Sequence, residues 1–426
     1  MRSNYKKLGG YIKEVDIRND SLDISFLRGI SSIYKSFMIS KANTIGVDFS
    51  DYKIVRNGQF AFNPNTARMG DKIPIALNDG ETCIVSKIYP VFEITDTKQL
   101  LSEYLMMWFR RPEFDRYARF KSHGSAREIF GWEEMCDVEF PITSIEKQIE
   151  IVGEYQTIVN RMHLNDQLNQ KLSEAAQAIY KHWFVDFEFP ITKEYATAIY
   201  RLELQSKPYK SSGGEMVYCE ILKQQIPKEW ESGSLDNIAD LIDGDRGNNY
   251  PSQEALLSDG YCLFLNTGNV TKNGFEFTSN TFISKERDNL MRKGKIERGD
   301  VILTTRGTVG HTAYYNNQIE YDHVRINSGM IIVRAKKQNC SSLFIYFVLK
   351  SKAMQNSIES FMSGSAQQHL PIRDLKKIPI LIPKKRTIDG FVNICQSLQN
   401  HLDLVNKEGI ILANFRDILL KKMSKI

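Results

Sequence analysis

SIEKQIEIVGEYQTIVNRMHLNDQLNQKLSEAAQAIYKHW, residues 144–183, decides the architecture. The stretch has no proline, and Gly153 is its one internal break. Ile151, Tyr155, Ile158, Met162, Leu168, Leu172, Ala175 and Ile179 recur mostly at steps of three and four, the spacing that gathers side chains on one face of a helix. One continuous rod is predicted. A second rod is predicted after Pro383, where Phe391, Ile394, Leu398, Val405, Leu412, Phe415 and Leu419 stand at near-heptad positions, with His401 and Glu408 intruding in the same stripe. A helix of about 40 residues spans roughly 60 Å, too far for one small globular region to cover its stripe. The two rods are therefore expected to pack on each other, antiparallel if the halves of the chain are related by a two-fold axis.

Outward from the rods, the sequence repeats itself. Gly124-Ser125-Ala126 returns 240 residues later as Gly364-Ser365-Ala366, and at the same offset Phe140 and Ile142 fall against Ile380 and Ile382. Tyr104-Leu105-Met106-Met107-Trp108-Phe109 faces Phe344-Ile345-Tyr346-Phe347-Val348-Leu349. Slightly out of step, Lys53 to Gly58 answers Lys295 to Gly299. Each half reads as a globular region followed by a rod. Residues 59–62 and 91–94 in the first half, and 300–305 and 330–333 in the second, are short runs rich in β-branched or aromatic residues, bounded by turns, and are expected as strands. Residues 100–110 and 342–351 are expected as amphipathic helices. The fold class expected is α+β, two similar globular domains separated by two long antiparallel helices packed as a coiled coil with pseudo-two-fold symmetry. The boundaries read as 1–143, rod 144–188, a Pro- and Gly/Ser-containing linker 189–216, second domain 217–384 and rod 385–426.

The chain has 426 residues, 42% hydrophobic and 25% charged, the balance of a folded multidomain protein. Its net charge of +5 permits a polyanionic partner without demanding one. Six scattered cysteines without a Cys-x-x-Cys pair fit a reduced, cytoplasmic protein and no structural metal. No signal peptide and no membrane span is expected. A phosphate loop of the G-x-x-x-x-G-K-[ST] type is missing. Asn63-Pro64-Asn65-Thr66 begins like the adenine-methyltransferase box but lacks its second proline and its aromatic, so a polar turn is expected. Asp243-Gly244-Asp245-Arg246-Gly247 lacks the closing acidic residue of a calcium loop. The Glu133-Glu134 pair reads as two solvated carboxylates on a helix. No catalytic or metal site is expected in this chain.

Three motifs carry a family resemblance. Ile226-Pro227-Lys228-Glu229-Trp230 followed by Leu235 resembles the opening of the target-recognition domains in type I restriction-modification specificity subunits. Gly364-Ser365-Ala366-Gln367-Gln368-His369-Leu370, with Leu375 to Pro383, resembles their closing motif and strand. Leu172 to Phe187, including Ala175-Ala176-Gln177-Ala178-Ile179-Tyr180-Lys181-His182-Trp183, is similar to the end of the family's central helix. The first domain departs from the pattern, with Tyr5-Lys6-Lys7-Leu8-Gly9 at its opening and Arg127-Glu128 where the second has Gln367-Gln368.

The resemblance implies a non-catalytic DNA-reading subunit that recognises a bipartite double-stranded target, one half per domain. It implies as partners two methyltransferase subunits and, through them, restriction motor subunits. S-adenosylmethionine, ATP and Mg²⁺ would sit on those partners, and no cofactor on this chain. Asn, Gln, Arg, Ser and Thr can read base edges, while Lys and Arg neutralise phosphates. The DNA-binding candidates in Gly-punctuated stretches are Asn63, Asn65, Thr66, Arg68, Lys72, Lys121, His123, Ser125 and Arg127 in the first domain. In the second they are Arg246, Asn248, Asn249, Tyr250, Thr305, Arg306, Thr308, Gln367, Gln368 and His369. A coiled-coil scaffold with protein-binding end domains is the alternative reading.

Overall fold

The computed structural model describes residues 4–40, 43–65, 72–122, 128–336, 340–362 and 369–425. The two Gly-Ser-Ala segments of the repeat lie outside them. Of the remaining repeat signals, 104–109 and 344–349 fall on matching helices and Phe140 and Ile380 on matching strands, whereas Lys53–Val55 is a strand and Lys295 makes only an isolated bridge to Arg325. The first region contains β1 (Tyr5–Lys7), β2 (Ile12–Val15), β3 (Phe60–Phe62), β4 (Ile75–Leu77) and β5 (Val91–Ile94). Helices α1 (Ser102–Phe109), α2 (Pro112–Lys121) and α3 (Trp132–Cys136), strand β6 (Glu139–Pro141) and the first rod, α4 (Ile145–Phe184), follow. The second region contains β7 (Glu231–Ser234), β8 (Ala239–Asp243), β9 (Val301–Thr304), β10 (Thr312–Tyr314) and β11 (Met330–Ala335). It continues with α5 (Ser342–Lys350), α6 (Lys352–Phe361), α7 (Ile372–Leu375), β12 (Pro379–Ile382) and the second rod, α8 (Lys385–Lys422).

Both regions hold a four-stranded antiparallel sheet of the same order, β2-β5-β3-β4 and β8-β11-β9-β10. The register repeats too. Phe60 stands opposite Phe92 and Leu77, as Val301 stands opposite Val333 and Tyr314. The central strands β3 and β9 are buried along their whole length because the middle of each sheet is covered on both faces. Phe60, Phe62 and Phe92 point at Tyr104, Leu105 and Phe109 of α1, while Ala61 and Val91 pack on Val55, Cys83 and Val85. In the second sheet Val301, Leu303, Ile331 and Val333 face α5, and Ile302, Met330 and Ile332 face Leu263, Leu265 and Val324. Period-2 alternation therefore separates two cores instead of core from water.

The opening strands of the two regions also correspond. β1 pairs with β6 as β7 pairs with β12, and each is followed by a fully buried leucine, Leu8 or Leu235. Tyr5 thus corresponds to Ser232, just after Trp230. Trp230 is used to anchor the rod, stacking at 4.7 Å on Phe189 and lying 5.8 Å from Phe184. The stretch 189–216 connects rod and second domain and is itself packed. It carries a short helix (Lys193–Ala198) and buries Phe189, Ile191, Ala196 and Tyr209.

The chain divides into two compact units, Met1–Asp166 with Lys407–Ile426, and Gln167–Asn406. Each unit takes one globular region and one end of both rods. In the first, Ile151 and Tyr155 of α4 share a core with Leu420 of α8 and Met423 just beyond it. In the second, Ala176, Trp183 and Phe184 of α4 share a core with Ile388, Phe391 and Cys395 of α8. Residue numbers rise along α4 as they fall along α8 within each unit, so the rods run antiparallel. Glu408 is no flaw in the stripe. Its carboxylate accepts two hydrogen bonds from the Arg161 guanidinium and one from Asn165 Nδ2, all at 2.9 Å. In the second unit Asn169 donates to Asn406 at 2.8 Å.

Five residues expected in the stripes are not in them, Ala175 being exposed beside the buried Ala176. Leu168 (45% exposed), Ile394 (45%) and Phe415 (53%) face solvent, as does His401, whose ring bonds to the Ser397 carbonyl oxygen one turn back. Ala176, Asn165, Cys395 and Gln399 are buried instead. A straight helix drifts by about 20° per heptad, so counting heptads through it misplaces positions. Among the described residues no helix is long and apolar enough to cross a membrane.

Candidate nucleic-acid interface

In the second unit three chain segments converge on an open cleft of about 340 Å³ lined by Asp243, Arg246, Thr305, Arg306, His369 and the Leu370–Arg373 turn. Each is positioned for a local reason. β8 stops at Asp243 because Gly244 runs so close to the Asn327 carbonyl oxygen that a Cβ has no room. Asp245 then turns the chain. Although burial pushes its carboxyl up, backbone N–H groups of Gly247 (2.8 Å) and Arg292 (2.7 Å) outweigh it and hold the group below the usual carboxylate range. That leaves Arg246 exposed, 3.2 Å from Asp243.

The 305–308 loop is pinned from below. The Thr305 and Arg306 amides both donate to the Gly329 carbonyl oxygen, at 2.8 and 3.1 Å, and the Thr305 hydroxyl donates to it at 3.1 Å. Arg306 makes a β-bridge with His369, and the Leu370 amide donates to the Thr305 carbonyl oxygen at 2.9 Å. The side chains of Arg306 and His369 are exposed. Arg373, which sequence reasoning missed, lies in the same cleft with its side chain 82% exposed and 3.8 Å from Asp374. Three guanidiniums and an imidazole thus face solvent with Asp243 as the acidic lining residue. Such a surface attracts a polyanion and offers forked donors to phosphate or guanine.

The first unit carries the same device. Asn65 bridges Ile129, and the Phe130 amide donates to the Pro64 carbonyl oxygen at 2.8 Å, matching the Arg306–His369 bridge and the Leu370–Thr305 bond. Asn63 is buried and its Oδ1 accepts from the Asn65 amide at 3.1 Å, which makes it a turn-builder. The Asn65 side-chain oxygen finds no hydrogen-bond partner among the described residues. Lys72 is exposed, and Lys121 is half-buried at the end of α2.

Other candidates hold structure. Asn249 Nδ2 donates to the Leu290 carbonyl oxygen at 3.1 Å, and Tyr250 packs edge-on against Phe264. The Thr308 hydroxyl reaches the Thr267 carbonyl oxygen at 3.5 Å, while Asn248 is exposed in the loop after Arg246. Thr66, Arg68, His123, Ser125, Arg127, Gln367 and Gln368 lie outside the described residues. Glu133 is exposed, and its neighbour Glu134 caps α3 by accepting from the Gly131 amide at 2.9 Å.

Comparison with known proteins fits this arrangement. Residues 227–408 match the family model of the type I restriction modification DNA specificity domain, from Pro227 through the cleft to Glu408. Over those residues the chain is similar to the type I specificity-subunit family. It is 23% identical over 352 residues to the MjaIX specificity subunit of Methanocaldococcus jannaschii, covering 83% of this chain and 72% of that protein. With the HindI specificity subunit of Haemophilus influenzae it shares 22% identity over 384 residues, 81% of each chain. Its fold is that of the type I S subunit from M. genitalium, with a TM-score of 0.54, 14% identity and coverage of 99% of this chain and 95% of the other. The specificity-subunit fold and role expected from the sequence therefore stand.

Proposed function

We propose that this chain selects the DNA site on which a type I restriction-modification complex acts, without catalysing either reaction itself. Each globular region reads one half of a bipartite duplex target, and the antiparallel rods set the unread spacer between the halves. The observation that carries this reading is the repeated bridge. Asn65–Ile129 in one region and Arg306–His369 in the other fix equivalent loops, and in the second the bridge stands in a cleft with three arginines.

In this reading Arg246, Arg306, His369 and Arg373 contact the duplex in the second domain, with Asn65, Lys72 and Lys121 in the first. Leu168, Ile394 and Phe415, apolar yet half exposed on the rods, provide surface for docking two methyltransferase subunits. S-adenosylmethionine, ATP and Mg²⁺ belong to those partners and to the motor subunits they recruit. The test is binding of the purified full chain to a duplex selected from a randomised library, measured by anisotropy across salt concentration. Affinity should fall steeply as salt rises, because each neutralised phosphate releases counterion, and the chain alone with Mg²⁺ and S-adenosylmethionine should leave the duplex unmodified. A flat salt dependence, or cleavage or methylation by the chain alone, would overturn the proposal.

A further inference from the structure

The first unit carries an exposed apolar tip in the stretch between two sheet strands where the second unit has a shorter hairpin, Val270–Thr271 with Gly274–Phe275. Between β2 and β3, strands Arg28–Ile30 and Phe37–Ile39 form a two-stranded hairpin. At its tip Ile33 is 68% and Tyr34 76% exposed. An apolar tip left in water would be free to fold back onto the domain, but this one is held out. The Lys35 and Ser31 backbones close the turn, with the Lys35 amide donating to the Ser31 carbonyl oxygen at 2.9 Å and the Tyr34 amide to Ser31 Oγ at 3.1 Å. Lys35 sits at φ 47°, the left-handed region that side-chain-bearing residues seldom adopt. That conformation sends its side chain inward, where it is 4% exposed. Its ammonium donates to the Phe109 carbonyl oxygen at 2.5 Å and to Asp115 Oδ1 at 2.6 Å.

The anchor also fixes what stands beside the tip. Asp115 Oδ1 accepts from the Ile73 amide at 3.1 Å, so the hairpin and the segment that carries exposed Lys72 meet on one carboxylate. Burial lowers the Lys35 amine most, Asp115 opposes it, and the charges of Lys72 and Arg110 lower it further. The result is a rigid apolar tip with a basic flank. A two-stranded ribbon fits the major groove of duplex DNA, and apolar or aromatic tips contact base surfaces there without carrying charge.

Building on the DNA-reading function proposed above, we infer that the Ile33–Tyr34 tip enters a groove of the first half-site and contacts base surface, with Lys72 on the adjoining phosphate. The alternative occupant, another protein, is disfavoured by the cationic flank and is resolved by the test.

The test uses the full chain and a duplex that the wild type selects from a randomised library. Ile33 and Tyr34 are exposed, so the Ile33→Ala/Tyr34→Ala double variant should melt like the wild type. Its affinity should fall on the order of tenfold, with an unchanged salt slope because no phosphate contact is lost. Lys72→Ala should instead lower the slope by about one unit, and Tyr34→Phe should bind as the wild type does, since the ring and not the hydroxyl makes the contact. If the wild type selects a duplex and the double variant binds it equally well, this inference is overturned while the DNA-reading function stands. Loss of a protein partner with duplex affinity intact would overturn it in favour of a protein-binding tip. Failure of the wild type to select any duplex would remove the DNA-reading function itself, and this inference with it.

Discussion

Replacing Phe391 by alanine should destabilise the second unit selectively. Its ring is fully buried and lies 5.0 Å from Phe184, 6.0 Å from Tyr180 and Trp183, 5.4 Å from Phe347 and 6.3 Å from Phe344. One side chain therefore joins both rods to α5. Phe→Ala in a close-packed core costs about 3–5 kcal/mol, against a total of about 5–15 kcal/mol for a domain. For a unit the size of Gln167–Asn406, each kcal/mol lowers Tm by roughly 2–4 °C, giving a drop of about 6–20 °C. Calorimetry of the full chain, with hydrogen exchange to locate the loss, would measure it. Protection should fall first within residues 167–406, and Phe391→Leu should restore much of it. A Tm shift under about 2 °C, or protection lost first in residues 4–165, would refute the packing described for the rods.

Three further outcomes are expected. Arg161 and then Asn165 hold the Glu408 carboxyl below the ordinary value of 4.5, so its contribution is present above pH 4.5 and is lost as pH falls through the lowered value. The stability difference between wild type and Glu408→Gln should therefore vanish in acid, which denaturant titration at several pH values would show. Arg306→Ala combined with Arg246→Ala should weaken duplex binding and reduce the salt slope by up to about two units, while a Thr308→Ala control changes neither. Inserting one helical turn near Asn169 should lengthen the unread spacer of the methylated site and leave both half-sites unchanged, as read from a methylation map of cells expressing the variant.

The rods, the core strands and the paired domains were legible because each depends on patterns longer than one element. The 240-residue offset survives as α1 against α5 and β6 against β12. Helices α2 and α6 went unread. PEFDRYARFK and KAMQNSIESF each bury only a few residues, and their apolar periodicity is too short to stand out. The hairpin at 28–39 was equally silent, since its tip is secured by Lys35, and no local pattern shows that a lysine will be buried against a carboxylate 80 positions away. Among binding candidates, loop composition could not separate Arg306 and His369, which face solvent, from Asn63, Asn249 and Tyr250, which build turns and core. Arg373 was missed because it lies in a one-turn helix rather than a Gly-rich loop.

The most direct test of the account is the sequence that the full chain enriches from a randomised duplex library. Two short conserved blocks at constant separation should emerge, and Arg306→Ala with Arg373→Ala should relax one block alone. A single continuous motif, or relaxation of both blocks together, would contradict the assignment of one half-site to each domain.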